Sequence, residues 1–172
     1  MSRPCDLDAI EARRLIGNKK LSPLELTKSC IEQIEKLNPS VNAVVAINNA
    51  DVLKQAKKAE DDVMSGSELG LLHGLPVGIK DLNIVKNLRS TSGSKIYENR
   101  IPESDDTIVE DIRSEGAIIF CKTNTPEFGA GGNTKNFVYG ATSNPFDITK
   151  TPAGSSGGSA AALACNMMPL AN

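Results

Sequence analysis

Hydrophobic residues recur at helical spacing in the first third of the chain. This spacing, together with capping residues, predicts helices over residues 6–16, 22–38 and 48–64. Ser22 opens the second helix, because serine followed by proline and then glutamate is typical of a capped first turn. We expect this helix to end before Pro39, since proline disfavours helical geometry at the residue that precedes it.

Short apolar runs between and after these helices predict strands. The runs over 41–47, 75–79 and 117–121 are bounded by turn residues, and the first is rich in β-branched residues. The third run shows no polar alternation, which is typical of a strand that helices cover on both faces. Acidic residues at 104–107 predict the start of a further helix before it. Helices and strands therefore alternate, and this order favours an α/β layered fold.

Charge and aromatic content exclude several classes of partner. The 172 residues carry 19 Lys and Arg against 21 Asp and Glu, which gives a net charge of −2. This balance produces no strong field that would attract nucleic acid or an anionic membrane surface. Aromatic residues make up 3% of the chain, with no tryptophan, and there is a single histidine. We therefore expect neither a stacking surface for single-stranded nucleic acid nor a histidine-based metal site.

The four cysteines are too scattered for a zinc site or a redox dithiol, and we expect small buried side chains in a reducing compartment. They are Cys5, Cys30, Cys121 and Cys165. Charged residues follow the N-terminus closely, so a signal peptide is not expected. No run of 18 apolar residues occurs either. These patterns predict a soluble, cytoplasmic protein.

A glycine- and serine-rich loop at residues 154–159 is the first candidate for chemistry, because it leads into an alanine-rich helix. Glycines let the backbone approach a ligand closely, and amides at a helix N-terminus attract negative charge. Hydroxyl groups in the same loop can donate or accept protons. A flexible linker would have a similar composition. A phosphate-binding loop would also be glycine-rich, but the Gly-Lys-Ser/Thr ending of that motif is missing.

Lys80 is the second candidate, because it directly follows an apolar strand and lies close to glycines. Burial disfavours the ammonium form and lowers the pKa of a lysine, which makes a neutral amine available as a base. The alternative is an exposed lysine at a strand end, which is the commoner situation for this residue type. The lone histidine, His73, lies in a loop just upstream, and we interpret it as structural or exposed.

Together with the segments between them, these candidates occur in sequence motifs that resemble those of the amidase signature family. The main motifs are Gly-Leu-Pro-Val-Gly-Ile-Lys-Asp at 74–81, Lys-Thr-Asn-Thr-Pro-Glu-Phe-Gly at 122–129, and Gly-Ser-Ser-Gly-Gly-Ser-Ala-Ala at 154–161. Similarity extends over 133–136 and 139–147. Several motifs in the same order are far more specific than one glycine-rich loop, and the resemblance runs over nearly the whole chain.

The resemblance implies the N-terminal part of an amidase-signature α/β/α sandwich with a mixed central sheet. Residues 1–172 would form an incomplete amidase domain. Its N-terminal helices would occupy residues 1–66, and the start of the signature core would occupy residues 67–172. The family's nucleophile lies in a downstream glycine-rich segment, which we expect beyond Asn172. We therefore expect these residues alone to be inactive.

The resemblance also implies an amidohydrolase with a Ser–Ser–Lys triad, a variant of the arrangement of nucleophile and base. Lys80 matches the catalytic lysine. Ser155 matches the bridging serine, which follows a cis peptide bond in the family and also contacts substrate. Gly129 matches a position that lines the substrate pocket. The substrate would be a small-molecule amide, and no metal or cofactor is implied.

Two alternative functions stay open. The first is the A-type subunit of a glutamine amidotransferase that acts on aminoacyl-tRNA, although residues 125–128 are more similar to general amidases than to that subunit. The second is a non-catalytic module in which residues 154–159 hold a small anion, with Lys80 as a charge partner. In the full-length protein we expect a homodimer or a partner subunit, with no direct contact to nucleic acid and no membrane contact.

Overall fold

The computed structural model describes residues 3–172 and contains five α-helices in that range. Asp8, Ser22 and Asn48 cap the first three helices, because each side chain accepts a hydrogen bond from a backbone amide in the first turn. The helices are α1 (Ala9–Gly17), α2 (Pro23–Val41), α3 (Asn49–Ser65), α4 (Thr107–Ser114) and α5 (Gly157–Ala164). The predicted helices are therefore present, with small shifts at their ends.

The sequence predicts that helix α2 ends before Pro39. The helix instead continues to Val41, with the proline inside its last turn. Proline near the end of a helix removes only one intrahelical hydrogen bond. The turn is then closed by Asn42, which has left-handed geometry and donates its amide to the Asn38 carbonyl. The Asn38 side-chain oxygen accepts hydrogen bonds from the amides of Ala43 and Val44, so the first amides after the helix are paired.

A mixed four-stranded sheet lies at the centre of the described residues, and a separate short hairpin accompanies it. The strands are β1 (Val44–Ala46), β2 (Pro76–Lys80), β3 (Ile118–Thr123), β4 (Lys135–Asn136), β5 (Gly140–Ala141) and β6 (Leu170–Ala171). The order in the sheet is β1-β3-β2-β6, and β4 and β5 form the hairpin. Strand β1 is antiparallel to β3, whereas β2 is parallel to both β3 and β6. The expected α/β class with a mixed sheet is confirmed.

Helices cover both faces of β3, as its continuous apolar run predicted, and all six of its residues are buried. Ile118 and Phe120 belong to the larger core cluster, which includes side chains from α1, α2, α3 and α5. Ile119 instead packs with Val109 of α4 in a smaller cluster, together with Ile79 of β2. The sheet therefore lies between two helix layers.

Three of the four cysteines are buried and the fourth is half-buried, and none forms a disulfide. Burial raises the pKa of the Cys30 and Cys121 thiols, which makes them unreactive. Over residues 3–172, no helix has the length and apolar character needed to cross a membrane.

Candidate active site

Lys80 is the last residue of strand β2, and it is half-buried whereas the four residues before it are buried. Its backbone amide donates to the Asn172 side-chain oxygen at 2.6 Å, just beyond β6. Gly78 of the same strand leaves room for Met168, whose sulfur would lie 2.4 Å from a Cβ at this position. The β2–β6 pairing therefore fixes the backbone from which the Lys80 side chain extends.

Ser155 lies in the loop before α5, and its hydroxyl contacts the Lys80 amine across 75 positions of sequence. The distance from Lys80 Nζ to Ser155 Oγ is 2.7 Å, with the amine as donor. Burial lowers the pKa of Lys80, although the side chain is half-buried rather than fully enclosed. The peptide bond between Gly154 and Ser155 is cis. The structure thus brings two of the three predicted site residues into direct contact.

Helix α5 packs closely on the strand that carries Thr123. The Thr123 and Ser159 hydroxyls are 2.7 Å apart, and Ser159 also donates to the Asn172 carbonyl. Gly158 permits this packing, since a Cβ there would lie 2.3 Å from the Asn124 backbone nitrogen. This packing places the loop before α5, which carries Ser155, close to the end of β2.

Gly129, the third predicted site residue, lies in the loop after β3 with a φ of 70°. A Cβ at this position would be 2.6 Å from Leu82, which follows Lys80 by two residues. Its amide donates to the Pro126 carbonyl at 2.8 Å. Gly129 therefore lies against the chain that leaves Lys80, and its role in lining a substrate pocket stays a prediction.

A buried ion pair lies beside this site and was missed by the sequence analysis. Lys122 and Asp81 are both fully buried, with 3.2 Å between the amine and the carboxylate. Thr91 donates to the carboxylate from its amide and its hydroxyl, and Lys122 donates to Ser90 Oγ and to the Asn83 carbonyl. Burial lowers the pKa of Lys122, and the Asp81 carboxylate opposes that shift. The pair fixes the chain directly after Lys80.

The single histidine lies in the interior and adds no further candidate to this site. His73 is buried and its ring nitrogen Nε2 lies 3.0 Å from the Ala59 carbonyl, so the structural interpretation fits and the exposed one does not. Within the described range, residues 3–172, no group of three or more His, Cys, Asp or Glu side chains is arranged to hold a metal ion.

Comparison with known sequences gives a family and a set of relatives. The family model described as Amidase matches residues 25–172. The A subunit of the glutamyl-tRNA(Gln) amidotransferase of Clostridium botulinum (strain Eklund 17B / Type B) is 42% identical over 163 residues. That alignment covers 95% of this chain and 34% of the subunit. The chain therefore spans about a third of the length of the curated relatives it matches.

Solved structures share the fold. A bacterial aryl acylamidase of the amidase signature enzymes superposes with a TM-score of 0.89 at 32% identity, over 96% of this chain and 34% of the acylamidase. A fatty acid amide hydrolase superposes with a TM-score of 0.91 over 98% of this chain and 30% of its own. That pair is only 24% identical, which shows a common fold alone. The architecture described above thus matches about the first third of these structures.

Proposed function

The chain belongs to the amidase signature family, whose members are hydrolases of C–N bonds, and on that premise we propose that Lys80 and Ser155 are catalytic residues of an amidase. The observation that carries the proposal is the 2.7 Å contact between Lys80 Nζ and Ser155 Oγ. Burial that lowers the pKa of the lysine supports it further, because a base must be able to lose its proton near the operating pH.

In the proposed reaction, neutral Lys80 accepts a proton from the Ser155 hydroxyl while Ser155 accepts one from a second serine. A charged lysine can only donate to the serine oxygen, whereas a neutral amine also has a lone pair that accepts. The second serine attacks the amide carbonyl, its oxygen bonds to the carbon, and the C–N bond breaks as the leaving amine takes up a proton. Water then cleaves the acyl-enzyme ester and releases the acid.

The second serine is the family's nucleophile, and the resemblance implies a position for it beyond Asn172. Residues 1–172 would therefore supply the base, the bridging serine and, at Gly129, part of the pocket for a small-molecule amide. We expect no amide hydrolysis from this polypeptide by itself. Robust hydrolysis by the purified 172-residue chain would contradict this assignment of roles.

A second candidate function is that of an amidotransferase subunit that releases ammonia from glutamine. The 42% identity to a glutamyl-tRNA(Gln) amidotransferase A subunit favours it. The segment over 125–128, Thr-Pro-Glu-Phe, favours a general amidase, because we expect Met-Asp-Glu-Phe in that subunit. Both functions use the same Lys80 and Ser155 chemistry. They differ in whether a tightly bound partner subunit copurifies with the protein.

The proposal is tested with the full-length product of the gene that encodes these residues. Hydrolysis of simple carboxylic amides and of glutamine is measured for the parent protein, for Lys80→Met and for Ser155→Ala. We expect each substitution to lower kcat/KM by about 10² to 10⁴. Lys58→Met is the matched control, because Lys58 is 77% exposed and its salt bridge is with Asp62 on the surface of α3. A Lys80→Met protein as active as Lys58→Met would refute the proposal.

A further inference from the structure

Thr134 contacts the backbone on both sides of Ser155, although it is distant from this loop in sequence. Its amide and its hydroxyl both donate to the Ala153 carbonyl, at 3.1 and 2.9 Å. The same hydroxyl accepts a hydrogen bond from the Gly157 amide at 3.1 Å. Thr134 is 1% exposed, so water does not compete for these bonds. One buried side chain thus joins the residue two before Ser155 to the residue two after it.

The hydroxyl of Thr134 accepts a hydrogen bond from the first amide of helix α5. Ser156 occupies the N-cap position of this helix, yet its side chain caps none of the first-turn amides. The amide of Gly157, the first helical residue, is instead satisfied by Thr134. Gly157 also lacks a Cβ where one would lie 2.2 Å from Thr134 Oγ1. The helix is therefore capped from another part of the chain, and the serines that precede it do not cap it themselves.

The backbone of Thr134 is held independently of its hydroxyl. Its carbonyl accepts from the Thr142 amide at 2.9 Å, next to the β4–β5 hairpin. The hairpin is in turn tied to the end of β3, because the Asn136 side chain donates to the Asn124 side chain and to the Thr125 carbonyl. Removal of the hydroxyl should therefore leave the backbone hydrogen bonds that hold residue 134 in place.

We propose that Thr134 is a positioning residue, whose hydroxyl holds the Ser155 loop so that Ser155 Oγ stays within hydrogen-bond distance of Lys80 Nζ. This inference rests on the proposed function, since it gives Thr134 a role in the same proton transfer. Thr134 itself touches neither the Lys80 amine nor the Ser155 hydroxyl. Displacement of a reacting group by about 1 Å can cost about 100-fold in rate, so a lost clamp should lower turnover strongly.

The test compares Thr134→Val, which keeps the shape but loses the hydroxyl, with Thr134→Ser, which keeps the hydroxyl. Thr27→Val is the matched control. Thr27 is equally buried, in α2, and its hydroxyl has no hydrogen-bond partner within residues 3–172. Each variant is made in the full-length protein. The measurements are kcat and KM for amide hydrolysis, the folded fraction by circular dichroism, and hydrogen exchange at the Gly157 amide.

We expect Thr134→Val to lower kcat by about 10- to 100-fold with KM and the folded fraction nearly unchanged. The Gly157 amide should exchange at least about tenfold faster, because its acceptor is gone. Thr134→Ser should recover both values, and Thr27→Val should leave both as in the parent. Equal loss of kcat in Thr134→Ser and Thr134→Val, or parental kcat in Thr134→Val, would overturn the inference.

Different results would refute the catalytic role of Lys80 and the positioning role of Thr134. Full activity in Lys80→Met would refute the proposed function whatever Thr134 does. Unchanged exchange at the Gly157 amide in Thr134→Val would refute the clamp even if Lys80 and Ser155 prove essential, and this readout needs no substrate.

Discussion

Replacing Lys122 by methionine should destabilise the protein far more than the same replacement at a surface lysine. Lys122 and Asp81 are both fully buried and 3.2 Å apart. Methionine fills a similar volume, so the main loss is the charge rather than the packing. The Asp81 carboxylate would keep its two bonds from Thr91 but would lose its only cation among the described residues, and the Asn83 carbonyl would lose a donor.

Removing one partner of a buried ion pair costs about 3 to 5 kcal/mol, because an uncompensated charge is left in the interior. This is a large part of a total stability of about 5 to 15 kcal/mol. The urea midpoint should fall by this loss divided by the m-value, which in the full-length protein should exceed the value of about 1 to 3 kcal/mol/M for small proteins because m increases with protein size. Lys58→Met removes a surface pair with Asp62 and should cost about 0.5 kcal/mol or less.

Urea unfolding followed by far-ultraviolet circular dichroism measures these differences in the full-length protein. Adding Asp81→Asn to Lys122→Met removes the stranded charge and should recover part of the loss. An Asn side chain still offers an oxygen to the Thr91 amide and hydroxyl. Equal midpoints for Lys122→Met and Lys58→Met would show that the buried pair does not stabilise the fold, and a double variant less stable than Lys122→Met alone would show that the stranded charge is not the cause of the loss.

Two further substitutions test how the site is supported. Gly158→Ala should loosen helix α5, because the added Cβ would lie 2.3 Å from the Asn124 backbone. Thermal unfolding should show a loss of about 2 kcal/mol or more in stability. Gly132→Ala is the control and should cost under about 1 kcal/mol, because a Cβ there meets nothing within 4 Å. Comparable melting temperatures for the two alanine variants would argue against the close packing. Ser22→Ala should lower the free energy of unfolding by about 1 to 2 kcal/mol, since Ser22 caps α2 and also donates to Glu60. A denaturation midpoint equal to that of the parent would show that this cap does not stabilise the protein.

Hydrophobic spacing and caps were enough to predict the helices and the central strands, because those signals are local. The predicted end of α2 was wrong by three residues. Asn42, which ends the helix, donates from its side chain to the carbonyls of Tyr139 and Ala141, and contacts so distant in sequence give no local signal. Strand β6 was not predicted at all. It has only two residues, and its pairing with β2 joins segments far apart in sequence.

The contact between Lys80 and Ser155 followed only from the resemblance, because no periodicity relates residues 75 positions apart. Lys122 offered a signal that could have been used. It directly follows a run expected to be covered on both faces, and a lysine in such a strand needs a buried carboxylate. Thr134 carried no comparable signal, since a single threonine in a loop has no distinctive pattern.

As a base, Lys80 must have an amine that loses its proton more readily than that of an ordinary lysine. The direct measurement is a pH titration of the Lys80 side chain by heteronuclear NMR in the full-length protein, with the resonance assigned by its absence in Lys80→Met. Burial should give a midpoint clearly below the usual lysine pKa of about 10.4, and hydrolysis should rise with pH through that same midpoint as the neutral amine forms. A midpoint at or above the usual value would instead indicate a lysine that holds an anion, and would rule out Lys80 as the base.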